Sequence, residues 1–280
     1  MRIANLAGRA VLLVGGGAID IHKASGGAIG PDPRAVFEHW DDVRPQLASL
    51  TGEPFPYVAR DLLAPVPSPR QIFAIGINYD DHAKEADLDV PTAFPVTFTK
   101  FASCLSGPEC AVVLPSPTVD WEVELVVVLG RAAHRVSTDE AWAHVAGLTV
   151  GQDLTDRITQ WSGPVPQQFS LGKSFPGFGS TGPAVVTVDE FDDPGDLRIG
   201  CRVNGVTMQS ASTSEMTFNV PALVAKLSAI LPLLPGDLIF TGTPAGIGAT
   251  RVPPVFLREG DELVSHIDGI GTLHTTFRAA

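Results

Sequence analysis

Residues 120–130 read DWEVELVVVLG. Val123, Leu125, Val126, Val127, Val128 and Leu129 make a run built to be buried, and two glutamates enter it. Successive strand side chains alternate faces, so Glu122 and Glu124 project together from one side of an apolar strand. A buried, unpaired carboxylate is strongly unfavourable or shifts its pKa until it is neutral. The pair therefore needs company: a metal ion, a second acid in a glycosidase-type arrangement, or basic side chains.

Outward from this stretch the chain keeps the same character. Short apolar strands punctuated by Gly and Pro are expected at 71–76, 111–114, 123–129, 184–188, 199–203, 238–240, 262–267 and 272–277. Helices are few. Ser137-Thr138-Asp139-Glu140 has a capping-box pattern and predicts a short helix stopping at Gly147. Positions 219–231 place Val220, Leu223, Val224, Leu227, Ile230 and Leu231 on one helical face, with Pro221 in the first turn. Many strands with few helices predict an α+β, mostly β fold rather than alternating βα units.

The beginning reads differently. Arg9 to Val14, then Gly15-Gly16-Gly17, then Ala18 to His22 predict strand, turn, strand. No lysine or helix start follows the glycines at the spacing a phosphate loop needs. Val36, Phe37, Trp40, Val43 and Leu47 predict a helix over 33–50. Pro65, Pro67 and Pro69 alternate and stiffen the chain against helix formation. They mark a linker, dividing the chain into a small α/β N-terminal domain at 1–68 and a main domain at 69–280.

The chain has 280 residues, is 44% hydrophobic and 18% charged, enough apolar material for a substantial core and too little charge for disorder. Its 19 basic and 31 acidic residues leave a net charge of −12, which argues against nucleic acid or an anionic membrane surface as partner. Cys104, Cys110 and Cys201 form no CxxC pair and are read as free thiols of a reducing compartment. The first apolar run, 10–14, is too short for a signal sequence or a membrane span. The expectation is a soluble, cytoplasmic protein.

A third acid favours a metal ion as what the glutamates face. Asp153 follows another apolar strand, 148–150, and three carboxylates without a Cys or His pattern suit a hard cation such as Mg²⁺. Basic partners for the glutamates remain the alternative. A sugar-cleaving pair fares worse, because neighbours on one strand face do not flank a bond from opposite sides. Arg157 and Gln160 follow Asp153 at positions that a helical turn would bring onto one face. Lys173 sits in SLGKSFPGFGSTGP, a Gly-rich loop able to carry a lysine to a ligand. An ion, an arginine, an amide and a lysine suit a substrate with a carboxylate beside carbonyl oxygens. In GINYDDHAKE (76–85), His82 and Glu85 lie one helical turn apart, as a carboxylate orients an imidazole for general-base work.

Together GINYDDHAKE (76–85), PVTFTK (95–100), DWEVEL (120–125), GLTVGQDLTDRITQ (147–160), LGKSF (171–175), STGP (180–183), NG (204–205) and PGDLIFTGTPAGIG (235–248) occur in an order that resembles the fumarylacetoacetate hydrolase family. The resemblance covers roughly 70–275 and implies a mixed β-roll catalytic domain, commonly dimeric. It implies Glu122, Glu124 and Asp153 as ligands of Mg²⁺ or Mn²⁺, and His82 and Glu85 as a water-activating dyad on a mobile lid. It implies Lys173 and Gln160 as stabilisers of an oxyanion or enolate, and Tyr79, Arg157 and Thr243 near the substrate. The implied activity is metal-dependent hydrolysis of a carbon–carbon bond in a 2,4-dioxo acid or acylpyruvate, through an enolate held by the ion. Relatives that decarboxylate, isomerise or hydrate 2-oxo acids use the same residues, and a non-catalytic binder on the scaffold is a further alternative. Two stretches depart from the pattern: FASCLSGPE after Lys100, and WSGPVPQQFS between Gln160 and Lys173, which carries no substrate signature.

Overall fold

Val123–Leu129 is a strand buried along its whole length in this computed structural model, which describes residues 1–165 and 167–280. Its antiparallel neighbours are Val145–Gln152 and Leu238–Phe240. Both faces are covered. Val123, Leu125, Val127 and Leu129 enter one apolar core, and Val126 and Val128 enter a second. Double burial explains why this segment reads as a continuous apolar run.

The strand sits inside an eleven-stranded mixed sheet. The order along its main path is Gly17–Asp20, Arg9–Val14, Arg2–Leu6, Gly179–Thr187, Val145–Gln152, Val123–Leu129, Leu238–Phe240, Ile72–Gly76 and Val96–Thr99. A five-stranded sheet carries Val206–Ser212, Arg198–Val203, Glu262–Ile267, Gly271–Ala279 and Glu109–Leu114. The first core fills the space between the two sheets, with Ile199, Leu263 and Leu273 facing Leu125 and Leu148. Each fully buried Leu or Ile there contributes roughly 1.5–3 kcal/mol. The second core lies on the other face, under Val36, Phe37, Trp40, Val43 and Leu47.

The expected strands are present, and the mostly-β α+β class holds. So does the helix Val220–Ile230: Asn219 caps it by accepting from the Ala222 amide, Pro221 occupies the first turn, and Leu223, Val224 and Leu227 are buried. Among the described residues no helix is long and apolar enough to cross a membrane. All three cysteines are free.

Three local readings change. The helix expected to end at Gly147 is a 3₁₀ turn at Ala141–His144, and Val145–Gln152 is strand. Glu140 does reach back to the Ser137 amide, 3.1 Å, one half of the box, while the Ser137 hydroxyl donates to the same carboxylate (2.7 Å) instead of accepting from the Glu140 amide. Val145 and Ala146 are nevertheless drawn into the sheet, and Gly147 pairs with Val128 and Thr187. The single helix at 33–50 is two, Pro33–Glu38 and Trp40–Ala48, broken at His39. The second expected strand of the opening hairpin stops at Asp20, whose side chain caps a short helix, Ile21–Ala24. The first 68 residues extend the large sheet, with Arg2–Leu6 antiparallel to Gly179–Thr187 and Ile3 packed in the second core.

Candidate active site and metal centre

The ladder between Val123–Leu129 and Val145–Gln152 assembles the acids. Val123 faces Gln152 and Glu124 faces Gly151. One step further, the Asp153 amide donates to the Glu122 carbonyl at 2.9 Å. Glu122 and Asp153, 31 positions apart, are thus brought side by side by strand register. The carboxylates of Glu122, Glu124 and Asp153 each offer an oxygen within 4.8 Å of the others, and all three residues are buried.

Buried bases surround them. Lys173 Nζ donates to Glu122 Oε2 (2.5 Å), Asp153 Oδ2 (2.8 Å) and Thr155 Oγ1 (2.8 Å). Lys100, fully enclosed, donates to Asp153 Oδ1 at 2.6 Å and to the carbonyls of Lys173 and Phe178. Arg157 donates to Asp120 Oδ2 through Nε (3.0 Å) and Nη2 (2.7 Å), to Glu122 Oε1 (2.8 Å), and to Gln160 Oε1 (2.9 Å). Four buried carboxylates, Asp120, Glu122, Glu124 and Asp153, therefore meet three buried cations. Burial opposes ionisation of Glu122, but Lys173 and Arg157 hold it below the usual carboxylate range. Among the described residues Glu124 has only the Gly242 amide, 2.9 Å from Oε2; burial and the charges of Asp153 and Glu122 push it well above that range.

Among the described residues Glu124 is the one acid of the four with no cationic side chain on it. All-oxygen, anionic donors clustered this closely fit Mg²⁺ or Mn²⁺. The alternative of basic partners is realised for Glu122 and Asp153.

His82 and Glu85 lie one turn apart on the helix Asp80–Glu85, with His82 Nδ1 2.8 Å from Glu85 Oε1. Glu85 Oε2 accepts from the Gly246 amide (2.9 Å) and Thr250 Oγ1 (3.1 Å). Burial pushes the Glu85 carboxyl up, but its bonds from His82, Gly246 and Thr250 outweigh that and hold it below the usual range. An ionised Glu85 accepts from Nδ1–H, so the lone pair of a neutral His82 lies on Nε2.

His82, Glu122, Arg157, Gln160, Lys173 and Thr243 line one cavity of about 350 Å³. Glu124 and Asp153 lie behind them. Lys173 is no solvated loop residue: it ends the helix Phe169–Gly172 and is 3% exposed. Gly172 permits this approach, since a Cβ there would lie 2.9 Å from the Gln160 backbone nitrogen. Thr243 Oγ1 donates to the Val123 carbonyl (2.9 Å) and accepts from Gln209 Nε2 (2.7 Å). Tyr79 lines a neighbouring cavity with Asp80 and Glu215. Among the described residues its buried hydroxyl has no hydrogen-bond partner, and burial with the charges of Glu124 and Glu215 pushes its pKa up.

The expected Asp153–Arg157–Gln160 helical face is absent. Only Arg157–Gln160 is helical, because Thr155-Asp156 pairs with Val119-Asp120 and Asp156 caps the helix from the Thr159 amide. Arg157 and Gln160 meet across one helical turn, while Asp153 joins them through strand register beside Glu122 and the ion pair of Arg157 to Glu122. Four supporting residues escaped the sequence reading. Asp120 anchors Arg157 and accepts from the Gly248 (2.7 Å) and Ala249 (3.0 Å) amides. Its signal was the alternating spacing with Glu122 and Glu124. Lys100 closes PVTFTK, where nothing local announces burial. Gln152 Oε1 accepts from the Glu122 amide and Gln209 Oε1 from the Val123 amide, each at 3.0 Å, with no sequence signal.

Comparison with known proteins agrees with this geometry. The family profile described as fumarylacetoacetate (FAA) hydrolase C-terminal matches residues 71–278. The mitochondrial oxaloacetate tautomerase FAHD2A of Bos taurus is 46% identical over 213 residues, 75% of this chain and 67% of that protein. The fumarylacetoacetate hydrolase of psychrophilic Exiguobacterium antarcticum superposes with a TM-score of 0.85 at 31% identity, each chain covered in full. A maleylpyruvate hydrolase from Sphingobium sp. SYK-6, solved with manganese(II) and pyruvate, gives 0.79 at 29% identity, again over both full chains. A profile match over most of the chain, joined to close relatives and the same fold around a buried acid triad, leaves one assignment: this chain belongs to the fumarylacetoacetate hydrolase family.

Proposed function

We propose that this chain is a divalent-cation-dependent enzyme that converts a 2-oxo or 2,4-dioxo acid by way of its enolate. The observation that carries the reading is one cavity lined by Glu122, Lys173, Gln160 and His82, with Glu124 and Asp153 clustered on Glu122 and Glu85 on His82. Glu122, Glu124 and Asp153 would hold Mg²⁺ or Mn²⁺, and the ion, when bound, supplies a Lewis acid that lowers the cost of enolate charge. His82, kept by Glu85 with its Nε2 lone pair free, takes the proton. Lys173 Nζ and Gln160 Nε2 donate to the developing oxyanion. Arg157 holds Gln160 Oε1, which leaves the amide nitrogen as the end offered to substrate.

Proton transfer at the carbon beside the oxo group, an isomerase or tautomerase reaction, is the leading form. The bovine tautomerase, similar along three quarters of this chain, supports it. Hydrolysis of a carbon–carbon bond is the second form, favoured by the dyad's fitness to activate water and by the maleylpyruvate hydrolase fold match. In that case His82 deprotonates a water that attacks the distant carbonyl, and the departing fragment leaves as an enolate. Assembly as a homodimer belongs to this reading, supported by family resemblance, and sedimentation measures it directly. The test is a panel of oxaloacetate, acylpyruvates and unsaturated 2-oxo diacids with Mg²⁺, followed by product identification. Tautomerisation releases no fragment, hydrolysis yields two acids, and decarboxylation yields CO₂. No conversion of any member contradicts the proposal.

A further inference from the structure

Glu85, which orients His82, is itself held from outside its own helix. Its Oε2 accepts from the Gly246 amide (2.9 Å) and from Thr250 Oγ1 (3.1 Å), both in the segment 246–250. That segment is neither helix nor strand, so its neighbours must fix its shape. Asp120 and Trp121 do so, and both are fully buried. Asp120 Oδ1 accepts from the Gly248 amide at 2.7 Å, and Oδ2 from the Ala249 amide at 3.0 Å. The Trp121 indole Nε1 donates to the Gly246 carbonyl at 3.1 Å. Gly246 therefore relays the contact: its carbonyl is held by Trp121, and its amide holds Glu85. Glycine at 248 permits the approach, since a Cβ there would lie 2.7 Å from Asp120 Oδ1.

The same carboxylate reaches the other side of the cavity. Asp120 Oδ2 also accepts from Arg157 Nε (3.0 Å) and Nη2 (2.7 Å). Arg157 in turn holds Glu122 Oε1 (2.8 Å) and Gln160 Oε1 (2.9 Å). With the Trp121 amide on Oδ1 at 2.8 Å, both oxygens of Asp120 are engaged as acceptors, a task that an amide side chain cannot perform at both ends. Neither Asp120 nor Trp121 lines the cavity. A change at either acts through the loop or the arginine, and not on a substrate directly.

We propose that Asp120 and Trp121 are positioning residues for the His82–Glu85 dyad. Through the segment 246–250 they hold Glu85 where it keeps the His82 proton on Nδ1 and the Nε2 lone pair free. Through Arg157, Asp120 sets the Gln160 amide in place opposite that base. The inference rests on the general-base reading of His82 above. It adds that the base is placed by the two residues preceding Glu122 in the chain.

Two substitutions test it. Asp120→Asn keeps the shape, but with its oxygen on the Arg157 guanidinium its NH₂ meets the Trp121 and Gly248 amides, donor against donor. Trp121→Phe keeps an aromatic ring and removes the donor to Gly246. Proton–nitrogen NMR of the imidazole rings, with His82→Ala to assign the signal, reads the tautomer in EDTA at about pH 8, above the ordinary imidazole range. The parent should show Nδ1–H at His82, and both variants should lose that preference. Leu47→Ala, a cavity in the second core, should lower Tm and leave the tautomer as in the parent. With Mg²⁺ and a 2-oxo acid in D₂O, exchange beside the oxo group should slow by about 10²-fold in Asp120→Asn, the scale of a displaced reacting group. Trp121→Phe should slow it by about five- to tenfold, one neutral hydrogen bond. In a Glu85→Gln background Trp121→Phe should add nothing, because its effect passes through Glu85. A parent-like tautomer in both variants overturns the inference, as does a Trp121→Phe rate loss that persists without Glu85. If Asp120→Asn does not fold, Trp121→Phe decides alone. The tautomer needs no substrate: the expected change without exchange of any 2-oxo acid removes the proposed reaction and leaves the positioning role.

Discussion

Replacing Lys100 with Met tests how the acid cluster is held. Lys100 is enclosed, with its ammonium on Asp153 Oδ1 at 2.6 Å and on two backbone carbonyls. Met fills similar space but donates nothing, so Asp153 loses one of its two buried cations. Breaking a buried ion pair from one side costs about 3–5 kcal/mol, mainly through the charge left behind. Asp153 keeps Lys173 at 2.8 Å, which places the loss near the lower end, about 3 kcal/mol. At about 2 °C per kcal/mol for a chain of this size, Tm should fall by about 6 °C in EDTA. Saturating Mg²⁺ should narrow the gap, because the ion offsets the charge that Lys100 no longer covers. Lys84→Met is the control: its pair with Asp81 is 71% and 76% exposed, and its loss should leave Tm close to the parent's. A Lys100→Met variant that melts with the parent in EDTA would refute the claim that this lysine holds Asp153.

Further outcomes follow from the same geometry. Glu124→Ala should abolish cation-dependent activity and tight Mn²⁺ binding while preserving the fold; full activity in this variant removes the metal assignment. His82→Ala should spare cation affinity and slow turnover by about 10²–10⁴, the usual worth of a general base. Burial pushes Asp156 up, but its bonds from Ser116, Thr159 and Thr118 outweigh that and hold its carboxyl below the usual range. Its folded pKa lies below its unfolded one, so its contribution is present above the unfolded value and lost as pH falls through the folded value. Acid titration of stability should therefore show a shallower decline in Asp156→Asn than in the parent, and identical curves contradict that role.

What could be read from the sequence was whatever local physics decides. The apolar run at 123–129 could only be a buried strand, and Asn219-Val220-Pro221 announces a capped helix whatever surrounds it. His82 and Glu85 meet because one helical turn suffices. Long-range pairing escaped. Ser137–Glu140 has half of the capping chemistry it promised, yet the residues after it gain more from the sheet than from a helix. Asp153 reaches Glu122 through strand register, and Lys100 reaches Asp153 across 53 positions. Gln152 and Gln209 brace the amides of Glu122 and Val123, a role visible only once the strands are paired.

Proton transfer at the carbon beside the oxo group is the leading form of the proposed reaction, and it has a direct reporter. A 2-oxo acid incubated in D₂O with the Mg²⁺-loaded protein should exchange the hydrogens on the carbon beside its oxo group, followed by proton NMR. The account predicts exchange that stops on chelation of the cation and is lost in His82→Ala. Exchange indifferent to both, or none with any 2-oxo acid, would contradict it.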